Sequence, residues 1–233
     1  MHNELTEQLQ KEVEGLGLAE SLAFVAERFP QKAVFSTSFG MEDQVITDAI
    51  FRAKSDIKVF TLDTGRLFNE TYEVYSRTVA RYKFPITPFY PNQDEIQEFV
   101  KTKGINSFYE SVENRKECCR IRKIEPLKKA LAGAELWITG IRADQSENRK
   151  GFNLFEYDAS FNLIKFNPIL LWTEDDVREY IKKNSVPYNF MHDKGFVSIG
   201  CAPCTRAIEP GEDPRAGRWW WEESKKECGL HSS

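Results

Sequence analysis

The chain has 233 residues and a net charge of −4, and 41% of its residues are hydrophobic. A chain of this length and composition can bury a sizeable core without disulfide bonds. Because the charges nearly cancel, the chain as a whole does not attract nucleic acid or an anionic membrane, and we expect neither as a partner. Any site for an anion must therefore be built locally from a few cations.

The N-terminal segment is polar, and no stretch approaches the roughly 20 apolar residues that a membrane-spanning helix needs. We therefore expect a cytoplasmic protein. In a reducing compartment, clustered cysteines are more often metal ligands or redox catalysts than disulfides. The chain has five cysteines, so at least one thiol remains outside any pairing.

Short β-rich runs alternate with amphipathic segments along most of the chain. Strands are predicted at 33–35, 58–62, 86–89 and 136–139, and helices in the N-terminal segment and at 41–52, 68–82, 94–101 and 173–183. The last helix begins with Thr-Glu-Asp-Asp, a sequence typical of a capped helix start. The alternation predicts a parallel α/β sheet, and ligands of such sheets bind at the carboxyl ends of the strands.

The composition changes toward the C-terminus. From residue 195 onward the chain contains three cysteines, three consecutive tryptophans, and several prolines and glycines with little periodicity. We predict an irregular functional segment there instead of another layer of the sheet. The predicted organisation is thus an α/β domain of residues 1–194, which includes the first cysteine pair, and a C-terminal segment of residues 195–233.

Four cysteines form two pairs that are distant in sequence, Cys118-Cys119 and Cys201-x-x-Cys204. Four thiolates satisfy either an iron–sulfur cluster or a structural zinc ion. The adjacent pair favours iron–sulfur, because zinc sites usually combine two Cys-x-x-Cys turns around one ion. Two alternatives remain open, a redox-active dithiol at Cys201 and Cys204, and buried cysteines without a function.

Three cations accompany these cysteines. Lys123 follows Cys119 by four residues, which on a helix places both side chains on one face. Arg215 and Arg218 flank a glycine, and guanidinium groups suit sulfate or phosphate oxygens. Together they can neutralise a dianion and lower the pKa of a nearby thiol. The alternative for the two arginines is surface pairing with acidic neighbours.

The fifth cysteine, Cys228, lies in the C-terminal sequence Glu-Cys-Gly-Leu-His. A thiol near the end of a chain can move between different positions. Because the three cations would lower the pKa of a thiol that approaches them, Cys228 is our candidate nucleophile. A terminal cysteine without a function is the alternative. His231 can orient or protonate a group near Cys228, although a terminal histidine is more often solvated.

Glycines and polar residues follow three of the predicted strands. After the first strand, a polar segment leads into a helix whose N-terminus can cradle an anion, although it is not a Walker A loop. Its candidate binding residues are Ser36, Thr37, Ser38, Gly40 and Glu42. The ends of the second and fourth strands add Leu62, Thr64, Gly65, Gly140 and Arg142. These ends predict one nucleotide-binding crevice at the carboxyl edge of the sheet.

Taken together, these motifs resemble the phosphoadenylyl-sulfate reductase family, and within it the assimilatory adenylyl-sulfate reductases. The resemblance spans nearly the whole chain and rests on segments 36–40, 62–65 and 139–142, on the two cysteine pairs with Lys123, and on the terminal Glu-Cys-Gly-Leu-His. It implies an adenine nucleotide α-hydrolase-like fold, with a mostly parallel twisted sheet, flanking helices and an irregular C-terminal segment. It also implies a [4Fe–4S] cluster held by Cys118, Cys119, Cys201 and Cys204.

The resemblance further implies a two-step reduction in sulfate assimilation and cysteine biosynthesis. Cys228 would attack the sulfur of adenosine 5′-phosphosulfate, AMP would leave, and a dithiol donor, thioredoxin or a glutaredoxin-like protein, would release sulfite from the S-sulfocysteine. Lys123, Arg215 and Arg218 would hold the phosphosulfate. A homo-oligomer is left open.

One departure from related folds bears on the reaction. The ATP-cleaving relatives carry a Ser-Gly-Gly-x-Asp-Ser loop, whereas this chain has Ser-Phe-Gly-Met-Glu-Asp at 38–43, which argues against pyrophosphate release. The cluster cysteines favour the substrate without a 3′-phosphate, while a reductase of the 3′-phosphorylated substrate, or of both, stays open. The alternatives from other classes are a tRNA-thiolation enzyme, which would need a basic RNA surface, and a metal-stabilised nucleotide-binding protein without catalysis.

Overall fold

The computed structural model describes residues 2–145, 149 and 151–222. Its α-helices are α1 His2–Glu12, α2 Leu18–Arg28, α3 Met41–Arg52, α4 Asn69–Tyr82, α5 Gln93–Lys103, α6 Val112–Cys119, α7 Glu125–Ala130 and α8 Glu174–Asn184. Its strands are β1 Ala33–Ser36, β2 Lys58–Leu62, β3 Thr87–Phe89, β4 Leu136–Ile138, β5 Phe155–Asp158 and β6 Leu163–Phe166. No helix in this described part is long and apolar enough to cross a membrane.

The strands form one sheet in the order β3-β2-β1-β4-β6-β5. All neighbouring pairs are parallel except β5 and β6, which form an antiparallel hairpin at one edge. The mostly parallel α/β sheet predicted from the sequence is therefore confirmed. The order reverses around β1 and β4, and in open α/β sheets the crevice at such a switch point is where ligands bind.

Both faces of the sheet are covered by helices. Val34 and Phe35 are successive residues of β1 that point to opposite faces, and both are buried. Phe35 belongs to the larger core, which α2 and α3 complete, whereas Val34 packs with Leu127 of α7 in the smaller one. Burial on both faces explains why the central strands read as continuous apolar runs.

The predicted helices agree with the structure to within two residues at their ends, and α8 begins as its sequence indicated. The Thr173 hydroxyl accepts a hydrogen bond from the Asp176 N–H at 3.1 Å, and the Asp176 carboxylate accepts one from the Thr173 N–H at 2.7 Å. This reciprocal pair satisfies two backbone donors that the helix itself leaves unpaired.

Two features differ from the sequence prediction. The hairpin β5–β6 was not predicted, because the buried Lys165 breaks the apolar pattern of β6. Its ammonium group lies 3.0 Å from Glu156 and 3.6 Å from Asp158, which allows it to be buried. The predicted helical turn after Cys119 is a π-helix over Arg120–Ile124, which is wider than the α-type turn assumed from the spacing.

A buried carboxylate joins three helices beside this core. Asp48 of α3 accepts hydrogen bonds from Arg52 Nε at 2.8 Å, from the Tyr180 hydroxyl of α8 at 2.9 Å and from the Tyr82 hydroxyl of α4. Burial, together with the Asp48 carboxylate, raises the pKa of both phenols, so they remain protonated and donate. The carboxylate thus ties α3 to α4 and α8.

We predict that Asp48→Asn lowers the free energy of unfolding by about 2 to 4 kcal/mol, because an amide cannot accept all these bonds and leaves buried donors unpaired. Denaturant unfolding measures this difference. Glu135→Gln, which alters the exposed contact with Lys32 at 3.8 Å, is the control and should change stability by less than about 0.5 kcal/mol. Equal stabilities of the two variants would contradict the assignment.

Candidate active site and cysteine centre

A cavity of about 320 Å³ opens at the carboxyl edge of the sheet, between the strand ends and the C-terminal segment. Most of the predicted binding residues line it, namely Ser36, Thr37, Ser38, Gly40, Glu42, Leu62, Thr64, Gly140, Arg142, Lys123, Arg215 and Arg218. Gly65 lies behind this lining in the turn after β2, with a φ of +70° and the Arg122 guanidinium beside it. Cys228 and His231 lie outside the described residues.

The loop after β1 is held in shape by Asp43. Its carboxylate accepts hydrogen bonds from the Ser38 N–H at 2.5 Å and the Ser38 hydroxyl at 2.6 Å. Burial raises the pKa of Asp43 to about 6, although the bonds from Ser38 oppose that shift. A Cβ on Gly140 would overlap the Asp43 carboxylate, so the end of β4 requires glycine where it meets this loop.

Positive charge is already balanced at one end of the cavity. The buried Arg142 donates from Nε to Glu42 at 3.0 Å and also forms an ion pair with Asp144. The Gln145 side chain donates to the same Glu42 oxygen at 2.8 Å. A guanidinium paired with two carboxylates leaves no excess of positive charge around Arg142, so this end of the cavity suits an uncharged part of a ligand better than an anionic one.

The cation end of the cavity is defined by Lys123 and Arg218, which both lie near Cys204, and Arg215 also lines the cavity. The Arg218 guanidinium is buried, lies 3.4 Å from the Ser198 hydroxyl and stacks over Trp219 at 4.8 Å. It also covers Gly200 so closely that a Cβ there would overlap it. The backbone of the C-terminal segment therefore holds this cation in place, and cations that line a concave site suit an anion.

Several lining residues were missed from the sequence. Among them are Ser198 and Gly200, which precede Cys201, and His192, which lies in a short 3₁₀ helix and whose pKa is lowered by burial. They follow no strand and carry no periodic signal. Their closeness to the Cys201 pair in sequence was the one available clue.

The four cysteines of the two pairs meet around a second, smaller cavity of about 20 Å³. Cys118 and Cys119 end α6, Cys201 directly precedes a short 3₁₀ helix, and Cys204 ends that helix. None of the four is in a disulfide. The cysteines surround the cavity instead of converging on one point, and among the described residues no three His, Cys, Asp or Glu side chains are grouped as ligands of one ion.

The electrostatics of this cavity disfavour bare thiolates at Cys118 and Cys204. Burial raises the pKa of Cys204 to about 12, and the neighbouring Cys201 adds to the shift. Burial also raises the pKa of Cys118. Nearby cations, Arg122 for Cys118 and Lys123 for Cys204, act in the opposite direction. Thiolates here need further positive charge, which a bound metal supplies.

The surroundings fit a sulfur-rich, anionic group. Trp219 packs against Cys201 and Cys204, and its indole Nε1 is buried without a hydrogen-bond partner in the described part of the chain. The same holds for Nε of Arg122, which lines the cysteine cavity. Unsatisfied buried donors are rare and point to an acceptor that the protein atoms do not supply.

The two cavities share a wall. Lys123 lines both of them. Thr64 lines the larger cavity, and its hydroxyl lies 3.3 Å from the Cys201 sulfur. The Thr64 carbonyl also accepts a hydrogen bond from Arg122 at 2.7 Å. The cation end of the cavity therefore lies directly beside the four cysteines.

Known proteins match this chain in sequence over most of its length. A family model described as the phosphoadenosine phosphosulfate reductase domain matches residues 32–207. The adenosine 5′-phosphosulfate reductase of Agrobacterium fabrum is 50% identical over 97% of this chain and 87% of its own length. That of Allochromatium vinosum is 51% identical over 85% of this chain and 78% of its own length.

Solved structures agree with this grouping. The phosphoadenylyl-sulfate reductase of Candida auris, in a phosphate complex, is 29% identical, covers 89% of this chain and 98% of its own, and superimposes with a TM-score of 0.77. An FMN adenylyltransferase of Candida glabrata, at 14% identity and a TM-score of 0.55, shares the fold alone. With the family model covering most of the sheet and both cysteine pairs, the chain belongs to the phosphoadenosine phosphosulfate reductase family.

Proposed function

We propose that this chain reduces adenosine 5′-phosphosulfate to sulfite and AMP. The observation that carries the proposal is the position of Lys123, which borders both the ligand cavity and the cysteine cavity. Relatives at about half identity that are named adenosine 5′-phosphosulfate reductases support the same substrate.

The charge distribution of the cavity suits this nucleotide. The sugar and base are uncharged and would occupy the strand ends near Leu62 and Gly140. The phosphosulfate would lie at the cation end, against Lys123, Arg215 and Arg218. Cations there offset the repulsion between a thiolate and an anionic substrate, and they stabilise the charge that builds on the departing phosphate.

Cys228 is the proposed nucleophile. Its thiolate sulfur attacks the sulfur of the sulfonate group, a sulfur–sulfur bond forms, and the bond to the phosphate oxygen breaks with its electron pair on AMP. A donor thiol then attacks Cys228 Sγ and sulfite leaves with the electron pair of the sulfur–sulfur bond. The second donor thiol resolves the mixed disulfide and frees Cys228, so the donor dithiol is oxidised to a disulfide. Thioredoxin or a glutaredoxin-like protein is the proposed donor.

The four cysteines would hold a [4Fe–4S] cluster. A cluster contains several iron atoms, so it can bind cysteine sulfurs that surround a cavity. The buried N–H donors of Trp219 and Arg122 suit the anionic sulfur atoms of such a cluster. When bound, the cluster supplies a charged group beside Lys123 and joins α6 to the C-terminal segment. Because the thiols supply both electrons, the residues described above do not need it as an electron carrier. A cytoplasmic location stays a prediction from the sequence.

Cys228→Ser should abolish sulfite formation, because a hydroxyl cannot form the sulfur–sulfur bond. Incubation of wild-type protein with adenosine 5′-phosphosulfate alone should add a sulfonate group to the chain, and the variant should gain none in intact-mass measurements. The alternative substrate is the 3′-phosphorylated nucleotide. Comparing the turnover of the nucleotides with and without the 3′-phosphate, with thioredoxin as donor, shows which of them the enzyme prefers. Normal sulfite release by the variant would exclude Cys228 as nucleophile.

Cys204→Ser should lose the iron of the protein, because one of four ligands is removed from a site whose burial disfavours free thiolates. Iron analysis and visible absorbance of anaerobically prepared protein measure this loss. Cys228→Ser is the matched control and should keep its full iron content. Iron retained by Cys204→Ser at the wild-type level would refute the ligand assignment.

Lys123→Ala should reduce kcat/KM at least about 100-fold, because the cation between the sulfurs and the phosphosulfate stabilises charge in the transition state. Steady-state kinetics measure the loss, and iron content shows that the cysteine centre persists. Lys129→Ala, in the exposed part of α7, removes a cation of the same kind away from both cavities and should keep activity within about twofold. Equal activities of the two variants would contradict the role given to Lys123.

A further inference from the structure

A buried ion pair fixes the end of the described C-terminal segment to α6. Arg115 donates from Nε and Nη2 to the two carboxylate oxygens of Glu222, each at 2.9 Å. Only 6% and 4% of the two side-chain surfaces are exposed. Such two-point geometry sets both the distance and the orientation of the partners.

Arg115 touches more than Glu222. It precedes Cys118 by three residues, about one helical turn, and it lines the cysteine cavity. Its guanidinium also stacks on Trp219 at 4.7 Å, and the same indole is contacted by Arg218 at 4.8 Å. One side chain of the cysteine-bearing helix is thereby linked to the cation end of the ligand cavity and to Glu222.

The position of Glu222 matters because of the residues that follow. Cys228 lies six residues farther along the chain, and six residues span at most about 20 Å. Arg218 lies four residues before Glu222, within about 14 Å by the same limit. A thiol tethered at Glu222 can therefore reach Arg218, and the position of Glu222 limits the volume that the thiol can explore.

We propose that Arg115 and Glu222 are positioning residues, which fix the origin of the terminal segment so that Cys228 is delivered to the phosphosulfate. The inference rests on the proposed function of Cys228. A buried ion pair is by itself weak evidence for stability. Arg115 belongs to the helix that carries Cys118 and Cys119, and Cys228 lies only six residues after Glu222. We therefore assign the ion pair to the first chemical step, the attack of Cys228 on the substrate.

Glu222→Gln tests the proposal, because it keeps the shape of the side chain and removes its charge. We expect S-sulfocysteine formation in a single turnover, followed by intact mass, to be at least about tenfold slower than in wild type. Iron content and AMP affinity should stay within about twofold, since neither depends on the tether. Arg115→Lys, which keeps the charge but loses the two-point contact, should be slowed as well and replaces Glu222→Gln if that variant does not fold.

Two controls separate positioning from general stability. Glu212→Gln alters the Arg206–Glu212 pair, which has the same two-point geometry in the same segment but is about one-third exposed, and it should react at the wild-type rate. Asp48→Asn lowers stability away from the site and should also react at the wild-type rate. A Glu222→Gln rate within twofold of wild type, or equal slowing by Asp48→Asn, would overturn the proposal.

If wild-type protein forms no S-sulfocysteine, the proposed function is wrong. Proteolysis then tests separately whether the Arg115–Glu222 pair holds the C-terminal segment. Trypsin should cleave after the buried Arg218 faster in Glu222→Gln than in Glu212→Gln, because the end of the segment is released. Equal cleavage rates would show that the ion pair does not hold this segment, and the inference would be wrong on its own terms.

Discussion

The balance of charge around the four cysteine sulfurs, two of them buried and two half-buried, governs the arrangement of the site. Burial raises the pKa of Cys118 and Cys204, so thiolates persist there only with compensating positive charge. Arg122 and Lys123 supply part of it from the π-helix that directly follows Cys119. A turn of that width lets one short stretch direct sulfurs and cations toward the same small cavity. Of these two cations, Lys123 also lines the larger cavity, so it lies between the sulfurs and a ligand there.

The lining of the larger cavity divides into a part around Arg142 and a part with the cations beside the cysteines. Arg142 is held between Glu42 and Asp144, so its part of the cavity has no excess of positive charge. Asp43 is buried behind the loop, where Ser38 donates to it twice, so the loop keeps its hydroxyls and N–H groups in a closed turn. In the proposed function, this division would orient a nucleotide with its phosphosulfate toward the cysteines before any bond forms.

The sequence predicted what depends on local pattern. The central strands, most helices and the capped start at Thr173 follow from periodicity and from hydrogen bonds between near neighbours. The β5–β6 hairpin was missed because Lys165 is buried through ion pairs with Glu156 and Asp158, which no pattern of apolar residues reveals. The pair of Arg115 and Glu222 was missed because its partners are 107 positions apart and each resembles an ordinary surface charge. Contacts of that kind depend on the tertiary fold and leave no trace in local spacing.

The fold itself does not determine the reaction. The FMN adenylyltransferase of Candida glabrata shares the sheet at 14% identity, and related folds can place quite different chemistry at the same edge. What distinguishes this chain is the C-terminal segment, where Gly200 admits the Arg218 guanidinium and Trp219 packs on Cys201 and Cys204. Because Arg215, Arg218 and the second cysteine pair belong to that segment, its packing against the rest of the chain brings them beside Lys123 and the first cysteine pair. The same segment contributes Ser198, Gly200, Arg215 and Arg218 to the lining of the larger cavity, so it shapes the ligand site as well as the cysteine cavity.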